Sequence, residues 1–570
     1  MNSMQIQPSK NAISPSDRRD DLPEIPVWTL RFSEGEREAR RAAGEWTGET
    51  LGQMARKRAA EEPDRPAVIG ETGGLTYAEL LDRATALARG LLEIGLRPGE
   101  TVSFQLPNWI EAPVIDLACA LGGFIINPVI PIYREAELRF ILNDCRSRLL
   151  FIPEQFRNVD YPAMIARIRE DVPSLQHIVV VRGKADGAHQ FEELITKGRA
   201  SARPLQERDA DEAKFIMYTS GTTGTPKGVI YSQNQQRRPL WASMTAWKLS
   251  PGAKLLMPSP VTHVTGFSYG MEMPLLLGTQ TYFMEKWDAA AAVEMIDRHG
   301  IEFMIGATPF LSELVDAAEK AGSRLESLRI FACGGAAVPP EIIRRANRAF
   351  ANCMSFRVFG SSECPMISQW CRDDPELAAS TDGEVFDWDV KLVDAEGNRV
   401  PFGQEGEILA RGPSLFRGYT NAEANREAFD EEGYFRTGDL GILSEDGLIT
   451  ITGRKKDIII RGGENISAKE IEDALHEHEA IREAAVVAMP HPRLGEGVCA
   501  FIIPAGEARP DQKAIADYLK AYGLAPQKWP ERVEYVDELP KTASGKVQKH
   551  ILRKMIADRI ASATGPAANP

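Results

Sequence analysis

The chain has 570 residues, 43% of them hydrophobic, and its 67 Lys and Arg against 81 Asp and Glu leave a formal net charge of −14. That length predicts two or more domains with sizeable cores, and the acidic balance excludes a general nucleic-acid binder, which needs a basic face. Seven cysteines, an odd number with no C-x-x-C pair, fit the reduced thiols of a cytoplasmic protein better than a disulfide framework.

Residues 1–26 are polar and charged, are punctuated by Pro8, Pro15, Pro23 and Pro26, and lack the apolar core of a signal peptide; they read as a flexible arm. Over residues 75–93, Leu80, Leu81, Ala84, Leu87 and Leu91 share one side, the spacing of an amphipathic helix, and 101–106 follow as a strand. The apolar stretch 112–133 is broken by Asp116, Asn127 and three prolines, so it predicts a buried helix and a strand, not a membrane span. Residues 164–169 then 178–181, and 291–299 then 303–305, repeat the helix and strand pattern. Such alternation predicts an α/β fold of largely parallel sheets with helices on both faces.

Between these units lies 218–228, reading YTSGTTGTPKG, where five Ser and Thr hydroxyls and three glycines surround Lys227. A loop of this composition can wrap polyphosphate with hydroxyls, backbone N–H groups and one mobile cation. An ordinary polar turn is the alternative. A Walker A loop is excluded, because Lys227 follows Pro226, and Gly545-Lys546 is followed by Val547 with Pro540 at the first glycine position. His476-Glu477-His478 lacks the H-E-x-x-H spacing of a zinc site and reads as a solvated helix face.

The loop resembles the phosphate loop of the adenylate-forming superfamily, and further motifs agree in order. They are PVTHVTG at 260–266, GGAAVP at 334–339, FGSSE at 359–363, GEILARGPSLFRGY at 406–419, YFRTGDL at 434–440, GRKKDIIIRGGE at 453–464 and PKTASGKVQK at 540–549. The resemblance covers residues 45 to 555 and is strongest with short- and medium-chain or alicyclic acyl-CoA synthetases of the cyclohexanecarboxylate-CoA ligase kind. It implies a large adenylation domain of several subdomains over 27–455 and a small, mobile α+β lid domain over 456–570. It also implies ATP, Mg²⁺ and coenzyme A, a small-molecule carboxylate substrate, and a two-step reaction through acyl-AMP. No nucleic acid or membrane span is expected, and a homodimer is left open.

Site roles follow from the same resemblance. Lys546 matches the lysine that bridges carboxylate and α-phosphate, Glu363 the Mg²⁺ ligand, and Ser362 the α-phosphate contact. Phe359 matches the adenine neighbour; the family more often has Tyr and Thr at 359 and 362. Thr219, Ser220, Gly221, Thr222, Thr223, Gly224 and Lys227 match the phosphate loop. Asp439 matches the acceptor of both ribose hydroxyls, a task one carboxylate can perform, and Arg454 a second ribose contact. Gly335 and Ala336 border adenosine and acyl group, while His263, Val264, Thr265, Val358, Gly360 and Pro365 match a small, mostly apolar acyl pocket. Thr265 stands where amino-acid-activating relatives carry an aspartate. His263 reads either as a gate or as a hydrogen-bonded core histidine. Lys456 matches the hinge, and Gly462 and Gly463 the pantetheine tunnel. Two alternatives are an aryl-acid AMP ligase serving a carrier-protein phosphopantetheine and an inactive nucleotide-binding regulatory module. The presence of Lys546, Glu363 and Asp439 argues against the latter.

Overall fold

A computed structural model describes residues 34–219, 226–335, 338–542 and 545–563; the arm expected over 1–26 lies outside them. Two large sheets dominate. The first has eight strands, in the order Gly418–Tyr419, Lys227–Ser232, Ala213–Thr219, Ile125–Pro128, Thr101–Phe104, Ser147–Pro153, His177–Val181 and His189–Gln190. From Ala213–Thr219 onward its strands are parallel, while Lys227–Ser232 and Gly418–Tyr419 add antiparallel at one end. The second has seven, in the order Met354–Arg357, Ile330–Cys333, Phe303–Gly306, Lys254–Met257, Gln280–Phe283, Pro66–Gly70 and Gly73–Thr76. Only its last strand is antiparallel. Strands covered on both faces need unbroken burial, and all seven residues of Ser147–Pro153 are buried.

One hydrophobic core runs between the sheets, through Leu80, Leu87 and Leu91 of helix Tyr77–Glu93 and Val114, Leu117 and Leu121 of helix Glu111–Gly122. The helix expected from residue 75 starts two residues later. The Thr76 hydroxyl accepts the Glu79 N–H at 3.2 Å and the Glu79 carboxylate accepts the Thr76 N–H at 2.9 Å, so this capping box ends the preceding strand there. The other expected helices and strands recur within a few residues of their predicted bounds.

A buried ion cluster joins three elements of this core. The Lys214 ammonium, at the start of the strand feeding the glycine-rich stretch, meets Asp116 of helix Glu111–Gly122 at 2.9 Å and also Glu272. Their exposures are only 5%, 1% and 4%. Burial pushes the Asp116 carboxyl up and the Lys214 amine down, and their mutual attraction opposes both shifts. Glu272 ends a π-helix, Gly266–Glu272, whose wide turn brings Phe267 under the same ammonium at 4.9 Å.

A four-stranded antiparallel sheet, Asp389–Val393, Glu405–Arg411, Phe435–Leu443 and Ile449–Arg454, precedes the small C-terminal domain. A single 3-10 turn, Lys455–Asp457, links them. The C-terminal sheet is built around the long hairpin Ile481–His491 and Gly495–Pro504, with separate apolar clusters on its two faces. His476 and His478 sit at the end of helix Ala468–His476 and are half-buried, while Glu477 between them is exposed. The His476 ring accepts the Ala484 N–H at 3.3 Å, and the His478 ring packs edge-on to Tyr518. All seven cysteines are buried and free.

The parallel ends of the second sheet leave no room for a side chain at Gly334. A Cβ on Gly334 would stand 2.6 Å from the Val358 carbonyl oxygen, which is backbone and has no rotamer to escape by. Gly334→Ala is expected to lower stability by about 1–3 kcal/mol, read as a shifted denaturant midpoint at unchanged slope. An unshifted midpoint would contradict this packing.

Candidate active site

Strands Ala213–Thr219 and Lys227–Ser232 form a hairpin in which Thr219 pairs with Lys227, so the glycine-rich stretch is the hairpin's connection. Ser220, Gly221, Thr222, Thr223 and Gly224 lie outside the described residues, as does Ala336. The root of the hairpin is clamped from a distant helix. Asp144 Oδ2 accepts both the Tyr218 hydroxyl and the Thr420 hydroxyl at 2.6 Å, and the Thr420 N–H donates to Gly228 O at 2.8 Å.

The second sheet supplies the opposite wall. Its strands end side by side: Gly334 N–H donates to Gly306 O at 3.1 Å, and Val358 N–H to Cys333 O at 2.9 Å. The crevice beyond the carboxyl ends of parallel strands is where open α/β sheets bind ligands. Gly335 and Val358 emerge there, followed by Phe359, buried, and Gly360. The Ser361 hydroxyl then accepts the N–H groups of Glu363 and Cys364 at 3.2 Å each, a turn that brings Ser362, Glu363 and Pro365 back along the wall.

Glu363 accepts three hydrogen bonds at two atoms. Its carbonyl accepts the Tyr231 hydroxyl at 2.9 Å and the Phe416 N–H at 3.0 Å, and its Oε1 accepts the Tyr419 hydroxyl at 2.9 Å. Tyr231 also donates to Ser362 O at 2.9 Å. The Tyr419 ring lies 5.1 Å from the Lys227 ammonium. Burial, and then the Glu363 charge, push the Tyr419 phenol far up, so it stays a donor. No group of three or more His, Cys, Asp or Glu side chains able to hold a metal exists among the described residues. A single carboxylate with one oxygen left over suits Mg²⁺ carried on phosphates, which completes its shell with substrate oxygens and water.

His263 stands on the loop after strand Lys254–Met257. Its Nδ1 accepts the Thr265 N–H at 3.4 Å, and burial, with the Lys546 charge as second cause, pushes its imidazole down to about 4. It is therefore neutral near pH 7. Val264 and Thr265, half-buried, lead into the π-helix.

Asp439 and Arg454 are cross-strand neighbours, with Arg454 Nε 2.7 Å from Asp439 Oδ1. Lys546 arrives from the C-terminal domain on a tight loop. Lys541 bridges Val547, Thr542 N–H donates to Lys546 O at 2.8 Å, and Gly545 N–H returns to Thr542 O at 2.9 Å. Gly545 has φ +83°, which an L side chain resists, and its Cα side lies against Ala307 and Pro309 at the start of helix Thr308–Ala321. Burial, then Arg454 and Lys456, push the Lys546 ammonium down to about 7, against the opposing pull of Asp439 and Asp457.

The structure thus gathers Lys546, His263, Asp439, Arg454 and Lys456 into one electrostatic neighbourhood. It does not bring Gly462 and Gly463 there: they form the exposed tip of hairpin Ile459–Arg461 and Glu464–Ile466, beside Leu494. Lys456 sits in the linking 3-10 turn, flanked by Lys455 on Glu407 at 2.9 Å and Asp457 on Arg553 at 3.0 Å. Sequence reasoning missed Tyr419, Tyr231 and Asp144. Tyr419 had a signal, since it closes the motif at 406–419; Asp144 and Tyr231 had none.

A profile for the AMP-binding enzyme family matches residues 55–420, and one for the AMP-binding enzyme C-terminal domain matches 470–546. The chain is 36% identical to a medium-chain fatty-acid–CoA ligase of Escherichia coli over 93% of its own length and 95% of that protein's. It is 32% identical to a 2,3-dihydroxybenzoate-AMP ligase of Bacillus subtilis over 92% and 96%. Among solved structures, ATP-bound MatB from Rhodopseudomonas palustris superposes with a TM-score of 0.80 at 26% identity, over 90% of this chain and all of that one. With two sheets whose carboxyl ends face a docked C-terminal lysine loop, and with both family profiles matched in order, the chain belongs to the AMP-binding enzymes and is an acid–thiol ligase of that family.

Proposed function

We propose that the chain is an ATP-dependent carboxylate–CoA ligase acting on small to medium apolar acids, aliphatic, alicyclic or aromatic. The observation that carries this reading is the lodging of the Lys546 loop against Ala307 and Pro309, which brings its ammonium close to Asp439 and His263. Two anions must meet in the first half-reaction, a carboxylate and the α-phosphate of ATP. A carboxylate oxygen attacks the α-phosphorus and pyrophosphate leaves. In the second half-reaction the thiol of coenzyme A attacks the carbonyl carbon and AMP leaves. Acceleration then comes chiefly from positioning and electrostatic stabilisation.

In this reading Lys546 bridges the carboxylate and α-phosphate oxygens, and Ser362 donates to the same phosphate. Thr219, Lys227 and the hairpin connection hold the β- and γ-phosphates. Asp439, with one oxygen on Arg454, offers the other to the ribose, and Phe359 and Gly335 flank the adenine. Glu363 would hold Mg²⁺, which neutralises charge on the phosphates. His263, Val264, Thr265, Val358, Gly360 and Pro365 border the acyl group. With no acid at Thr265, an α-ammonium group would be buried unpaired, a penalty of several kcal/mol.

A panel of acids assayed for AMP and thioester formation tests the reading. Uncharged-tail acids should exceed every α-amino acid in kcat/KM, and free CoA should accept the acyl group. An amino acid as best substrate would overturn the pocket assignment. Acyl-AMP that accumulates until a carrier protein is added would favour the aryl-acid AMP ligase alternative, whose relatives are nearly as similar, at 32% identity.

We place the domain boundary and pivot at Lys456, because Lys546 and the incoming thiol need the same side of the acyl carbonyl at different times. Lys546→Ala should slow carboxylate-dependent ATP–pyrophosphate exchange by at least about 10²-fold while sparing thioester formation from supplied acyl-AMP. Lys456→Pro, with φ fixed near about −65°, should do the reverse. Equal losses in both half-reactions for both variants would count against domain alternation.

The depressed Lys546 pKa has a sign that calorimetry can read. Near pH 7.5 a group titrating at about 7 is mostly uncharged, and two bound anions must raise its pKa. Joint binding of a carboxylate and a non-hydrolysable ATP analogue should therefore take up protons, seen as an enthalpy that varies with buffer ionisation heat. Lys546→Gln should abolish the uptake, and proton release in the wild type would contradict the assignment.

A further inference from the structure

We propose that Tyr419 is a positioning residue that holds Glu363 and Lys227 apart and aims both at the metal–triphosphate complex. The inference rests on the function proposed above. Lys227 closes the hairpin opposite Thr219, Glu363 lies on the wall of the second sheet, and each touches the same phenol. The Tyr419 hydroxyl donates to Glu363 Oε1 at 2.9 Å through the edge of the ring, while the Lys227 ammonium stands 5.1 Å from the ring centroid on its face. Neither charged group takes part in an ion pair among the described residues. Without the ring between them, a flexible lysine and a flexible glutamate at this range would pair with one another, and each would be withdrawn from the phosphates.

Tyr419 is itself fixed at its backbone and its ring. Its N–H donates to Asn425 Oδ1 at 2.7 Å and its carbonyl accepts from Asn425 Nδ2 at 3.1 Å, so one amide grips the backbone from both sides. It pairs with Val229 in the first sheet, two residues beyond Lys227. Its ring packs on Phe416 at 4.8 Å, and Phe416 in turn packs on Phe429 and Phe435. The phenol thus carries the rigidity of an aromatic cluster to two side chains with several rotatable bonds each. By occupying Oε1 it leaves Oε2 as the carboxylate oxygen available to a cation, the arrangement by which an outer partner orients a metal ligand.

Two substitutions separate the hydroxyl from the ring. Tyr419→Phe keeps the cation's platform and loses the bond to Glu363. Its affinity for Mn²⁺·ATP, followed by electron paramagnetic resonance of the bound Mn²⁺, should fall about 10-fold, the usual effect of removing such a partner. Its Kd for metal-free ATP and its KM for the carboxylate should stay within twofold of wild type, roughly the reproducibility of such comparisons. Tyr419→Leu should weaken metal-free ATP as well, because Lys227 can then close on Glu363. Wild-type Mn²⁺·ATP affinity in Tyr419→Phe overturns the proposal. So does a parallel loss of metal-free ATP binding, carboxylate KM and metal affinity in that variant, which would mark a merely structural bond. Failure of the wild type to catalyse carboxylate-dependent pyrophosphate exchange would overturn the ligase reading instead, and the Mn²⁺·ATP comparison would still decide the role of Tyr419.

Discussion

A lysine ammonium in a place with little water is the constraint on which the remaining arrangement depends. Lys546 lies in a crevice with Arg454 and Lys456, two cations that raise its energy further, and only Asp439 and Asp457 offset them. Two of these four groups, Arg454 and Asp439, are spent on each other. The crevice is therefore short of negative charge before any substrate enters, and that shortage is what anionic reactants supply. The same shortage accords with the proposed alternation of the domains, since a cation that is unstable when lodged alone would leave and return as its partners change.

The walls around that cation are set by backbone geometry. Neighbouring parallel strands end in register, linked by Gly334 to Gly306 and Val358 to Cys333. The loops carrying Gly335 and Glu363 therefore leave from adjacent points. Glu363 is then fixed by its own carbonyl, through Tyr231 and Phe416, as much as by its carboxylate. Ser362 and Glu363 owe their orientation to a buried phenol on the first sheet, so the two sheets meet at the site as well as in the core.

Much of this was legible in the sequence, because local rules govern it. The alternation of helix and strand is a matter of periodicity, and the ordered motifs single out Lys546, Asp439, Glu363 and Lys227, which the structure sets around the ends of the two sheets. The residues that hold those groups still were not legible. Asp144 meets Tyr218 and Thr420 across 74 and 276 residues of chain, and an isolated aspartate carries no mark of either partner. His476 and His478 looked fully solvated because nothing local announces the strand and the helix that cover part of each ring. Position along the chain reports propensity and motif. Long-range hydrogen bonds depend on how the packed elements happen to face one another.

The Asp116, Lys214 and Glu272 cluster bears on how this chain can change over time. Removing the lysine strands two buried carboxylates, a loss on the order of 3–5 kcal/mol, whereas removing one acid leaves a paired lysine and replacing all three by apolar groups of similar volume can be neutral. At the far end of the π-helix the lysine is thus the member least open to single substitution. The small residues at its near end, Val264 and Thr265, face no such barrier. Change in this helix is therefore channelled to its mouth, while its base is held by the one lysine that two acids share.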